Sequence, residues 1–188
     1  MEASRCFDDV PGTVIALPSA SADDPNLAHA WVIGTQLSEN VYRIQGSDMT
    51  HGLGPLFADG KLECRCQDDR KRGLMRIYLQ VPHSKTEFRT PARRAEQAVA
   101  LPGHAEINGI KEVHRIGSTA APKLLALCQA KQSDTGIFPG GYFDHLVWEK
   151  VPGESMDTKK SWELPEKCRT DIRSKFKALF RQISMPLY

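Results

Sequence analysis

The chain has 188 residues, 40% of them hydrophobic, which suits one domain with a single core and an accompanying arm. Its 25 Lys and Arg against 23 Asp and Glu give a net charge of +2. The basic residues are dispersed among acids, so no nucleic-acid partner is expected, and no stretch approaches the roughly 18 apolar residues of a membrane span, so no membrane association is expected either.

Residues 1–30 carry Pro11-Gly12, Pro18, the run Ser19-Ala20-Ser21 and Asp23-Asp24-Pro25, the composition of an arm with one short strand at Thr13 to Leu17. Trp31 to Ile44 and Lys61 to Gln67 interleave apolar and polar residues and predict two strands, joined by the Gly-rich segment 46–60. Leu74 to Val81 predicts a third strand, ended by Pro82.

The middle of the chain turns helical. Pro91 to Ala100 follows a Thr90 cap, with proline at the first helical position. Ala105 to Ile116 spaces Ile107, Ile110, Val113 and Ile116 three apart, one apolar stripe of a second helix. Pro122 to Gln129 and Tyr142 to Trp148 predict two further strands around the loop 131–141. Finally, Pro165 to Ile183 places Ile172, Phe176, Leu179, Phe180 and Ile183 on one stripe of an amphipathic helix whose other face is Lys, Arg and Asp.

Five cysteines (6, 64, 66, 128 and 168) form an odd set, and the first eleven residues hold acids and no apolar run. A reduced, cytoplasmic setting is expected. Cys64-x-Cys66 is too closely spaced for a zinc knuckle, lacks a second ligand pair and fits alternate positions on one strand face, so no metal is expected. Arg70-Lys71-Arg72 and Arg93-Arg94 read as solvated faces.

Several stretches share wording with one family: LMRIYLQVP (74–82), AEINGIKEV (105–113), APKLLAL (121–127), FPGGYFDHLVWEKVPGES (138–155) and SWELPEKCRTDIRSKFKALF (161–180). In this order they resemble the small protein-kinase-like sequences of filamentous fungi, over roughly residues 60 to 183. Within them LVWEKVPGE resembles the strand that leaves a kinase small lobe as its hinge. The resemblance implies an α+β fold: a kinase small-lobe-like five-stranded antiparallel sheet with an inserted helix, followed by a long C-terminal amphipathic helix. It divides the chain into an arm (1–30), the lobe (31–155) and a helix packed on it (156–188).

The same resemblance places Arg76 where a kinase has its phosphate-holding lysine and Glu106 at the helix acid. Guanidinium is not interchangeable with ammonium at phosphate, so a brace between strand and helix is the expected role. Gly52-Leu53-Gly54-Pro55 lacks a third glycine and carries a proline where a backbone donor is useful. No His-Arg-Asp or Asp-Phe-Gly phrase occurs in the 188 residues. The expectation is a degenerate, pseudokinase-like binding or regulatory module, without phosphotransfer or cofactor, that pairs with a second copy or another protein.

An alternative of a different class is a small enzyme whose former nucleotide cleft takes an organic substrate for acid/base chemistry such as cyclisation or isomerisation. Arg76, Glu106 and His145 are its candidate catalytic residues. Tyr78, Trp148 and Glu149 are its candidate pocket residues. Asp144 and His145, as strand neighbours, point to opposite faces and cannot jointly line one pocket.

Overall fold

A computed structural model describes residues 6–20, 27–42, 56–83, 86, 88–99, 104–119, 121–153 and 158–184. Six strands form one antiparallel sheet: β1 (Val14–Pro18), β2 (Ala28–Tyr42), β3 (Phe57–Cys66), β4 (Arg72–Gln80), β5 (Leu124–Lys131) and β6 (Tyr142–Glu149), in the order β1-β2-β3-β4-β6-β5. Helices α1 (Pro91–Ala95) and α2 (Ala105–Arg115) lie between β4 and β5, and α3 (Thr158–Glu163) and α4 (Glu166–Ser184) follow β6.

The expectation of a five-stranded kinase small lobe is overturned. The sheet has a sixth strand, drawn from the segment read as an arm, and it curls into a nearly closed barrel. β1 pairs with β2, with Ile15 opposite Trp31, and its far end reaches β5 through a Ser19–Ala126 bridge and an Ala20 N–H to Leu125 carbonyl bond of 3.0 Å. Two register shifts in the 15-residue β2, between Ile33 and Gln36 and between Gln36 and Ser38, supply the bend that closure requires. The phrase Gly52-Leu53-Gly54-Pro55 falls outside the described residues.

Strand alternation sorts the side chains into two apolar groups. Met75, Ile77 and Leu79 of β4 turn inward to meet Leu17, Trp31, Leu62 and Val147, filling the barrel. Leu74 and Tyr78 turn outward, where Leu146, Trp148 and Leu124 pack against Ile107 and Ile110 of α2. The three-residue spacing of those isoleucines is what lays α2 on the sheet.

Phe7 plugs the barrel at 1% exposure, and Gly60 makes room for it: a Cβ there would come within 2.8 Å of the ring. At the other turn, buried Gln132 donates to the Gln80 carbonyl at 2.8 Å and accepts from the Phe138 N–H at 3.0 Å, pinning the β5–β6 loop over a fully buried Phe138. After β6 the chain leaves through Lys150, whose ammonium pairs with Glu63 of β3, and Gly153 turns at φ 116°. Among the described residues no helix is long and apolar enough to cross a membrane.

Candidate functional site

A set of interacting polar side chains that includes Arg76, Tyr78 and Glu106 lies on the outer face, where β2, β3 and β4 meet the first turn of α2. Asp59 stands opposite Asn40 in β2 and opposite Tyr78 in β4. Two residues before Tyr78, Arg76 shares its outward face and reaches across to Asp59, Nη1 to Oδ1 at 2.5 Å. Its Nε lies 3.3 Å from Glu106 Oε2, on α2. That second approach is an ion pair and not a hydrogen bond, since the Nε–H lacks an aligned acceptor.

Glu106 also accepts a hydrogen bond from the Tyr78 hydroxyl, and Asn40 Nδ2 donates to both Asp59 oxygens at 3.3 and 3.4 Å. One guanidinium therefore sits between two carboxylates, one from the sheet and one from the helix. Asp59 is only 3% exposed, whereas the Glu106 side chain is 39% exposed, so the group straddles the edge of the core.

Aromatic rings wall the group. Tyr42 stacks on Phe57 at 4.4 Å, and His104, just before α2, stacks on Tyr78 at 3.7 Å. His104 also meets Phe57 and Tyr142 edge-on. Burial holds its imidazole down to about 4, neutral at pH 7, and its Nε2 is buried without a partner, as is the Tyr142 hydroxyl. Burial, and then the hydrogen bond to Glu106, keep the Tyr78 phenol protonated far above the ordinary range. The Asp59 carboxylate raises Tyr42 in the same direction.

Of the residues singled out as catalytic, the fold brings Arg76 and Glu106 together and adds Tyr78 from the expected pocket set. His145 is not with them. It pairs with Ile77 and Cys128, on the face that turns into the barrel, is 3% exposed, and is held down to about 4 by burial. Trp148 is outward but farther along β6, buried under α2 with Lys61 Nζ 5.9 Å from its ring centroid. Glu149 ends the strand, exposed, its N–H bound to the Lys123 carbonyl. Asp59 escaped the sequence reading because it fell in a stretch read as loop. The signal was the alternation of Ala58, Leu62, Cys64 and Cys66, which continues back through Gly60 and puts Asp59 on the polar face.

Chemically the arrangement is closed on itself. Arg76 offsets one of the two carboxylate charges and occupies the space between them, and the Tyr78 hydroxyl donates to Glu106. No protein-family model matches this chain, and neither does any curated protein or solved structure with which it was compared.

Proposed function

We propose that the chain is a non-catalytic binding module: a barrel that stands on its own core and engages an acidic, apolar-grooved protein through α4. The observation that carries this reading is the exposed aromatic ridge of that helix. Phe176 and Phe180, one turn apart and stacked at 6.0 Å, are 67% and 58% exposed. Around them α4 carries Lys167, Arg169, Arg173, Lys175, Lys177 and Arg181 against Glu166 and Asp171. Trp162 of α3, 63% exposed, has the guanidinium carbons of Arg169 and Arg173 over its ring, 5.2 and 6.0 Å from the centroid. A narrow aromatic stripe with basic flanks fits a helix-in-groove partner of opposite charge, and like charge opposes the packing of one such helix on another.

The outer-face group supports the same reading from the other side. Two of the three residues offered for acid/base chemistry, Arg76 and Glu106, are engaged with each other and with Asp59 and Tyr78, so Arg76 acts as a brace from sheet to helix. One observation favours the enzyme alternative: the neutral, unpaired Nε2 of His104 beside Tyr78.

The test is a fluorescence titration of the full chain with Ca²⁺-loaded calmodulin, used as a probe with an acidic apolar groove, since Trp162 is exposed while Trp31 and Trp148 are buried. A saturable blue shift, weakened by salt and lost in Phe176→Glu/Phe180→Glu, is expected. No shift, or equal binding by the double variant, overturns the reading. A shift on anionic phospholipid vesicles but not on the protein probe reassigns the ridge to a lipid surface. A dimer by light scattering that the double variant splits hands it to a second copy.

A further inference from the structure

Apart from the outer-face group, three side chains with metal-binding atoms converge. His29 enters from the start of β2, Cys66 from the last position of β3, and Asp68 from the turn into β4. His29 Nδ1 lies 2.8 Å from Asp68 Oδ2, Cys66 Sγ lies 3.8 Å from the same oxygen, and all three ligand atoms fall within 4.8 Å of one another. We propose that His29, Cys66 and Asp68 form a three-ligand site for a borderline-soft divalent transition metal, zinc being the class that fits, with the fourth position left to water or an exogenous acceptor.

The backbone pre-positions the set. Cys66 faces Trp31 in the β2–β3 register, the Gln67 N–H binds the Ala30 carbonyl at 2.8 Å, and the Cys66 N–H binds the Lys71 carbonyl at 2.9 Å, so the turn is tied to both strands. Bond lengths of about 2.0–2.3 Å and tetrahedral angles require ligand atoms about 3.3–3.7 Å apart. The Cys66–Asp68 spacing of 3.8 Å must close slightly, and the His29–Asp68 contact of 2.8 Å must open by about half an ångström.

The donor types decide the metal class. Thiolate, imidazole and carboxylate together suit Zn²⁺ or Co²⁺ and not Mg²⁺ or Ca²⁺, which take oxygen. Their two negative charges balance a divalent ion. Binding sends the Cys66 Sγ proton to solvent, leaves His29 a neutral imidazole that ligates through Nδ1 with its N–H on Nε2, and transfers no electron. A second feature of the same place points to a ligand. His29, Cys66 and Trp31 line one depression of about 280 Å³, and the Trp31 indole N–H, on a residue 2% exposed, is buried without a partner. A metal-bound water or carboxylate is the kind of acceptor that such a donor lacks.

Co²⁺ titration of the full chain tests this, with circular dichroism as the check on folding. One equivalent is expected to raise a near-ultraviolet thiolate-to-metal band that Zn²⁺ bleaches. The band disappears in Cys66→Ser and persists in Cys64→Ser. His29→Gln and Asp68→Asn, whose side chains reach solvent, weaken binding by more than the roughly 10- to 100-fold that loss of an outer-shell partner costs. They keep the test decisive if Cys66→Ser fails to fold. Absence of the band at millimolar Co²⁺, or its survival in both Cys66→Ser and His29→Gln, overturns the assignment.

Discussion

Burial decides how single residues behave in this molecule, and the two histidines show it best. His104 sits on the outer face against Tyr78 and His145 on the inner face against Phe143, yet desolvation brings both from 6.5 down to about 4. The unfolded chain therefore binds protons that the folded chain refuses. The stability these imidazoles contribute is complete above pH 6.5 and is lost as the pH falls towards about 4, at ~1.4 kcal/mol per pH unit for each. Urea midpoints measured between pH 7.5 and 5 are expected to fall steeply, and His145→Leu to remove about one proton from that slope. An unchanged slope would mean that His145 is solvated.

Arg76 and Glu106 were paired only by the kinase resemblance, and the two side chains do meet although the fold that resemblance implied is overturned. The sequence could not show that Asp59 takes the stronger share of the guanidinium, since that depends on the β3–β4 register. Nor could alternation alone say which face of β6 becomes the barrel interior, and that choice separates His145 from the rest.

Elements are held by fit at a few glycines as much as by pattern. Gly60 has Phe7 against the space where a Cβ would go, whereas Gly109, in the middle of α2, has nothing within 4 Å. Gly60→Ala is expected to lose about 1–3 kcal/mol by displacing Phe7. Gly109→Ala is expected to gain about 0.4–1 kcal/mol by stiffening the unfolded chain. Equilibrium denaturation of the two variants side by side reads both signs.

Strand periodicity was legible where it was long. The runs around Trp31 and Leu62 interleave apolar and polar residues, those around Met75 and Tyr142 are rich in apolar and aromatic residues, and each falls within a strand. The helix read over 91–100 stops at Ala95 because Gln97 is captured by tertiary bonds: its carbonyl accepts from Gln80, and its side-chain oxygen accepts from the His83 N–H and the Thr86 hydroxyl. Such captures leave no local trace. β1 was visible only as Ile15 and Leu17 alternating in a Pro- and Ser-rich segment, and its closure onto Ala126 joins residues more than a hundred positions apart. A short edge strand of that kind turned an expected open five-stranded lobe into a nearly closed barrel.

At the scale of the whole molecule, core and working surface are separate. The barrel is filled by its own side chains, and the ridge on α4 faces outward, so Phe176→Glu/Phe180→Glu is expected to leave the unfolding midpoint within about 0.5 kcal/mol of the parent. A larger loss would mean that the ridge packs on the barrel.

The central claim is that the guanidinium on the outer face holds the fold together instead of serving a reaction. Urea unfolding of Arg76→Met beside Arg76→Met/Asp59→Asn tests it most directly, because a buried carboxylate stripped of its partner is far costlier than the absence of both charges. The prediction is a loss of about 3–5 kcal/mol for the single variant, most of it recovered in the double. Stability of Arg76→Met within about 0.5 kcal/mol of the parent would contradict it, leaving Arg76 free for chemistry.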